Sequence, residues 1–418
     1  MLTINNFKSP AVQNQLWSIV ASGSLAIFAS IIVFVITRVS GLEAAGVVVF
    51  AIALTELPRT LAIFNARPYQ NFDVMPEFSF INYFNLRLIS SITSSILFIV
   101  FLLIREFEVY DFVIILSVYS IYIVDAVADV FIGEMQRNGV MRIAGKMQAM
   151  SYLIAIVTIS ITLVLTNNLI LAFLLAFFLF ALSYIVWIWI NRAHFGPIRV
   201  SFDKIRAKTL TFRLLPLLIG SFFWTLLFNS PKFFLETFAT FEDVALIGIL
   251  MMPVSLLILA CTSFFHGPIA TKTAEILASG DITGLKKRVN LQLLLAFGIC
   301  ILFVICVYFL GIPILSFVYD LDLTGYKTIL LIIALGGLAR APLYVIGPIA
   351  VMMKKLKANL AIQISAFLLI TPIMYFLVLN HGLIGASFFG VILYFPVVIA
   401  YYILYRKGLK EFDKSSVA

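Results

Sequence analysis

The sequence predicts an all-α integral membrane protein of about twelve transmembrane helices, in two six-helix bundles around a central cavity, with both termini cytoplasmic. Three observations predict it. The 418 residues are 62% hydrophobic and only 12% charged, with a mean hydropathy of +1.10, whereas soluble domains carry about 25% charged residues. A soluble core cannot hide this much apolar side chain, so the solvent is lipid. Apolar runs of about 20 residues, enough for a helix rising about 1.5 Å per residue to cross the hydrocarbon layer, recur along the chain. Basic residues cluster in alternate breaks between those runs.

The spans are read in order at 13–37, 44–65, 81–104, 111–134, 147–166, 169–191, 212–230, 244–266, 289–311, 327–352, 358–379 and 383–405. Breaks between them carry turn or charge signals, among them Ser40-Gly41, Arg105-Glu106, Asn167-Asn168, His194-Phe195-Gly196-Pro197, Gly280-Asp281 and Asn380-His381-Gly382. The first run starts near Val12 and exceeds 20 residues, longer than the apolar core of a cleavable signal, so it is expected to stay as a span.

Orientation follows from Lys and Arg. With the N-terminus inside, the inner borders collect all but five of the 29 basic residues. Outer positions keep Arg38, Arg105, Lys232 and Lys327, and Arg340 lies within a span. Shifting one span scrambles this alternation, which is why the count is even. The most basic loop runs from Arg192 to Arg213, with six spans on either side. The expected division is therefore an N-terminal bundle over 1–195, a cytoplasmic linker over 196–212 and a C-terminal bundle over 213–418, a common transporter plan. The net charge of +9 reads as a collar facing anionic membrane lipids; no basic run has the length or setting of a nucleic-acid module.

Several chemistries are excluded. Cys261, Cys300 and Cys306 lie in apolar spans without disulfide or metal spacing, and His194, His266 and His381 are scattered, so neither metal nor cofactor is expected. No Gly-rich phosphate loop is present, so the chain does not hydrolyse ATP by itself. Short outer loops lack the polar side chains a membrane enzyme would need.

Charges inside spans face a partner or a water-filled path. Glu56 and Arg59 stand three apart on one helical face, with Pro58 between them; they form a local ion pair, or Arg59 receives a phosphate in a cytoplasmic vestibule. Asp125 and Asp129, four apart, share a face with Tyr122 and Ile132. Together they either hold a cation or proton or pair with basic residues on a neighbouring helix, whereas Glu134 reads as an interface residue. Arg340, in Gly336-Gly337-Leu338-Ala339-Arg340-Ala341-Pro342, faces the interior, either paired with Asp125 or Asp129 or clamping a pyrophosphate through its two-pronged guanidinium. Pro231 is expected to break the seventh span after Asn229-Ser230, leaving Lys232 to snorkel outward or to stand at a cavity mouth. Arg38 has the same two readings. Arg67 and Arg87 flank a loop rich in Pro and aromatics that reads as a positive-inside loop or as a headgroup and sugar contact.

On these residues the chain resembles the O-antigen and polysaccharide repeat-unit flippases (Wzx-type) of the multidrug/oligosaccharidyl-lipid/polysaccharide exporter superfamily. The resemblance covers most of the chain in span count and loop charge. Locally it rests on Asn14-Gln15-Leu16-Trp17, on Arg67-Pro68-Tyr69-Gln70 through Tyr83 and Arg87, and on Asn229-Ser230-Pro231-Lys232. It implies a non-enzymatic transporter in a bacterial cytoplasmic membrane, moving undecaprenyl-diphosphate-linked oligosaccharide outward by alternating access. A polysaccharide polymerase and a chain-length regulator are the implied partners. Arg340, Arg59, Arg87, Lys232, Arg38 and Arg67 would contact substrate, with Asp125, Asp129 and Glu56 as coupling or counter-charge residues. The sequence departs from that family in having essentially one midplane cation, Arg340. Two alternatives stand beside it: a cation-coupled multidrug antiporter using Asp125 and Asp129, and an integral-membrane polysaccharide polymerase.

Overall fold

The computed structural model describes residues 10–72, 78–195, 204–264, 273, 276–277, 279–353 and 355–415. Lys8, Asp73, the 196–203 part of the expected linker and His266 lie outside them. The described residues hold twelve helices long and apolar enough to cross a membrane, from Leu16–Ser40 to Phe389–Glu411. The chain divides into two compact units, Met1–Asn229 and Ser230–Ala418.

The first unit contains α1 (Pro10–Ser40), α2 (Leu42–Ile63), the short α3 (Ala66–Phe72), α4 (Phe80–Ile104), α5 (Val109–Arg137), α6 (Met141–Thr166), α7 (Leu169–Ile190) and most of α8 (Lys204–Phe238). Turn residues end the helices where expected. Asn167 closes α6 in the left-handed conformation, and Asn168 then caps α7 by accepting from the Leu171 N–H. Ser79 and Asn82 form a reciprocal capping box that starts α4. Phe64 and Asn65, both at positive φ, turn the chain from α2 into α3, an element the sequence reading had treated as loop.

α1 packs along α6, and the contact is close because Gly145 has no side chain: a Cβ there would strike the Trp17 carbonyl. Asn14 fixes the same end. Its Nδ2 donates to the Gly139 carbonyl at 2.6 Å and its Oδ1 accepts from the Arg142 N–H at 2.8 Å, satisfying an otherwise orphaned first-turn donor of α6. An aromatic core of Phe78, Phe80, Tyr83, Phe84 and Phe131 closes over Leu210 and Leu214 of α8.

The second unit contains the end of α8, α9 (Phe241–Phe264), α10 (Ile282–Cys306), α11 (Ile312–Tyr319), α12 (Lys327–Met352), α13 (Leu356–Ser387) and α14 (Phe389–Ser415). Two boundaries differ from the sequence reading and a third agrees with it. α8 does not break at Pro231 but runs on to Phe238; within a bilayer a proline's freed carbonyl finds other donors more readily than the helix unwinds. The ninth span does not stop at Gly311. A π-helical turn at Val307–Gly311 inserts a residue ahead of Pro313, which has no N–H to continue the α register, and α11 carries on to Tyr319. At Gly382 (φ 50°) the helical φ/ψ is interrupted, and Gly385 comes against the Leu377 carbonyl eight residues earlier. In a straight helix those positions stand about 12 Å apart, so the chain folds back at Asn380-His381-Gly382, where the sequence places a turn.

α12 and α14 cross through glycine on both sides. A Cβ on Gly336 would stand 2.7 Å from the Gly390 backbone, a small-residue contact of the kind that packs membrane helices. Large apolar side chains such as Ile104, Leu165, Ile185, Phe317 and Leu369 point outward, as a hydrocarbon solvent dictates.

Candidate functional site

The polar interior of the first unit is organised by α5. Asp125 and Asp129, one helical turn apart, point the same way, and Glu134 follows. All three are buried, and both oxygens of each carboxylate are used. Asp125 Oδ2 accepts from Arg59 Nη2 of α2 at 2.6 Å, and its Oδ1 accepts from the Tyr184 hydroxyl of α7 at 3.1 Å. Asp129 Oδ2 accepts from Arg87 Nη2 of α4 at 2.8 Å, and its Oδ1 from Arg67 Nη1 of α3 at 3.2 Å. Glu134 accepts from Gln70 Nε2 at 3.0 Å and from Arg137 Nη2 at 2.5 Å.

Local backbone explains how these arms arrive. The left-handed turn at Phe64-Asn65 starts α3, and Arg67 and Gln70, three apart, then share the face toward α5. Gln70 lies flat on Gly133, where any Cβ would collide with its amide. Arg67 also donates twice to Gln136 Oε1, at 3.0 and 3.1 Å. At the C-terminal end of α2 the Ala62 carbonyl has no intrahelical partner, and Arg87 Nη1 and Ser90 Oγ both donate to it. One turn back, Ser94 Oγ donates to the Pro58 carbonyl.

Four arginines thus meet three carboxylates of α5 in three neighbouring hydrogen-bonded groups, and Glu56, three residues from Arg59, brings the formal charges to balance. Exposure divides the arginines. The Arg87 side chain is 2% exposed, whereas those of Arg59 and Arg67 are 19% and 25% exposed. Arg59 lies beside the Tyr122 ring, 5.9 Å from its centroid, and its buried Nε has no hydrogen-bond partner among the described residues.

The structure therefore brings together five of the nine candidate residues, Arg59, Arg67, Arg87, Asp125 and Asp129. The local Glu56–Arg59 ion pair is not what forms: Arg59 turns to Asp125, and Glu56 accepts from Asn229 Nδ2 at 2.8 Å. A deeply buried aspartate demands a formal countercharge more strongly than a half-buried glutamate does. The oxygens of Asp125 and Asp129 are filled by Tyr184 and the arginines of their own unit. Arg38 is exposed near the end of α1 and stacks on Phe34. Lys232 is half-buried on α8 in the second unit.

Arg340, also in the second unit, sits 4.9 Å from the centroid of the Tyr394 ring. Gly336, Gly337, Gly390 and Ser387 line a cavity beside it of about 20 Å³. That is room for roughly one water, too little for a sugar or a phosphate. Sequence reasoning missed Gln70, Gln136, Arg137 and Tyr184 as cluster members and read Glu134 as an interface residue. Tyr184 carried a signal, a hydroxyl inside an otherwise apolar span.

No protein-family model matches the chain, and no curated protein matches it. Solved structures do. A mutant of the Vibrio cholerae MATE transporter VcmN aligns with a TM-score of 0.66 at 14% identity, over 97% of this chain and 98% of its own. An inward-facing multidrug resistance MATE family transporter of the MOP superfamily gives 0.62 at 14% identity, over 97% and 94%. A MOP superfamily transporter from Pyrococcus furiosus, described as having a binding pocket of reverse polarity that suggests a different function, gives 0.61 at 14% identity, over 97% and 95%. The twelve-helix fold of this chain is the fold of the MATE transporters.

Proposed function

We propose that this chain is a membrane exporter working by alternating access, and that its cargo is an anionic, lipid-linked oligosaccharide presented as a diphosphate. The pairing of Asp125 and Asp129 with arginine carries this reading. Asp125 and Asp129 are each held by arginine at 2.6 to 3.2 Å, which takes those two carboxylates from an organic cation; Glu56, held by the neutral Asn229 amide, is the carboxylate left to a cationic cargo. Arg59 and Arg67, partly exposed and rich in donors, have the chemistry that phosphate oxygens recognise. Arg340, Lys232 and Arg38 would add positive charge along the path. The reading extends to a bacterial cytoplasmic membrane and to cell-surface polysaccharide synthesis, with a polymerase and a chain-length regulator acting downstream.

A cation-coupled multidrug antiporter is the second reading, and the fold comparisons favour it over the first, since a neighbour is described as a multidrug resistance transporter. The Pyrococcus protein, described as reversed in pocket polarity, supports the idea that this fold accepts cargoes of either charge. An integral-membrane polymerase draws no support from relatives that are transporters.

Reconstituted vesicles separate the two. Wild type is expected to move a polyprenyl-diphosphate-linked glycan between leaflets, to export no cationic dye, and to lose glycan transport in Arg59→Gln and Arg340→Ala. Dye efflux that disappears in Asp125→Asn sinks the flippase reading and establishes the antiporter.

A further inference from the structure

Asp129 is bound as a substrate phosphate would be. Its two oxygens each take one guanidinium, Arg87 at 2.8 Å and Arg67 at 3.2 Å. A phosphoryl group offers two oxygens at a similar spacing with more charge, so it fits the same pair of donors. The two arginines are not equivalent. Arg87 is sealed and has a second, backbone partner at Ala62. Arg67 stands on a short seven-residue helix beyond a left-handed turn, a quarter exposed, with its other donors on the neutral amide of Gln136.

We propose that Asp129 is an internal stand-in for the cargo's diphosphate, occupying the Arg67–Arg87 site when the carrier is empty and yielding Arg67 to the diphosphate when it is loaded. This rests on the reading of an anionic cargo. It answers a physical requirement of any carrier that returns empty: bare arginines in a membrane interior are costly, so the charge that the cargo neutralises must be neutralised by something else on the way back. A carboxylate held by one exposed and one buried arginine does this and releases the exposed arm. Asp125 and Arg59 do not have this form, because Tyr184 rather than a second arginine holds the other Asp125 oxygen.

The stand-in competes with cargo, so removing its charge is expected to tighten binding and slow turnover. The test uses the purified full-length protein in detergent, with farnesyl diphosphate as probe and farnesol as its uncharged control. Asp129→Asn is expected to bind farnesyl diphosphate at least tenfold more tightly than wild type, while its glycolipid transport falls. Arg67→Gln, which keeps the buried Arg87–Asp129 pair, is expected to bind at least tenfold more weakly. Wild-type binding with Asp129→Asn equal or weaker overturns the stand-in and leaves the anionic cargo in place. If wild type prefers farnesyl diphosphate no more than farnesol, the cargo reading itself fails. Should Asp129→Asn unfold, leaving Arg87 buried without its countercharge, Arg67→Gln decides alone: unchanged affinity there overturns the proposal.

Discussion

In Met1–Asn229, four arginines drawn from α2, α3, α4 and α5 close on three carboxylates of α5, and the carboxylates and Arg87 are buried while the other arginines are partly exposed. In Ser230–Ala418, Arg340 rests on the face of Tyr394, and α12 and α14 meet glycine against glycine. Both units contend with the same solvent, yet one keeps charge inside by pairing it and the other relies on small residues and aromatic faces. Burying ions seldom adds net stability over apolar packing of equal volume. The first unit therefore carries a cost that packing alone does not explain, whereas the second is built as dispersion and close approach would have it. On the proposed reading, the functional chemistry belongs where that cost is carried.

The largest expected effect tests that contrast directly. Arg87→Met removes the sealed arm of the cluster, strands one oxygen of Asp129 and takes a donor from the Ala62 carbonyl. Breaking a buried pair from one side costs about 3–5 kcal/mol, so the melting temperature in detergent should fall further than for any substitution named in the second unit. A variant that melts with wild type would mean the cluster is solvated in the membrane protein and that the two units do not differ.

How much of this was legible beforehand varies with the physics involved. Span number is written in hydropathy, and the turns at Asn167-Asn168 and Gly382 are written in residues that tolerate left-handed backbone. Asp125 and Asp129 were visible as a shared face because helical spacing alone decides it. Which arginine each would meet was not, since that depends on α2 ending at Ile63 and on α3 being a helix at all, and a seven-residue element has no periodicity to read. The persistence of α8 through Pro231 was missed because proline's local penalty is set against bilayer constraints that act on the whole helix.

Adjacent glycines in the second unit should respond with opposite sign. Gly336→Leu drives side-chain atoms into the Gly390 backbone and is expected to destabilise by about 1–3 kcal/mol, the usual range for overpacking. Gly337→Ala meets Leu257 Cδ2 at 3.5 Å, Phe303 Cε1 at 3.6 Å and Val254 Cγ2 at 3.8 Å, all ordinary contact, and should be neutral or gain up to about 1 kcal/mol from helix propensity. Thermal melts of the two variants side by side check it; equal losses would show that helix flexibility, not close approach, is what those glycines supply.

Arg340→Met sharpens the comparison further. It keeps the bulk and removes the cation over Tyr394, an interaction worth about 0.5–2 kcal/mol. The loss in melting temperature should be a fraction of that for Arg87→Met, while glycan transport, if Arg340 touches cargo, falls far more than stability does. Matching the Arg87→Met loss would make Arg340 as structurally committed as the cluster and would move it out of the cargo path.

The smallest effect is expected at the rim of the second unit. Lys355 pairs with Glu411, joining the start of α13 to the end of α14, and the two side chains are 29% and 63% exposed. Water and salt already stabilise both partners there, so the pair should contribute only about 0.2–1 kcal/mol. A double-mutant cycle with Lys355→Met and Glu411→Gln measures that coupling free of the single-site effects. Raising the salt to about 1 M, where screening acts within roughly 3 Å, should erase it. The matching cycle on Arg137 and Glu134, 19% and 5% exposed, should keep most of its coupling under the same salt. Equal salt sensitivity in the two cycles would show that water reaches the first unit's charges as freely as it reaches this rim, and the contrast in burial between the two units would fall.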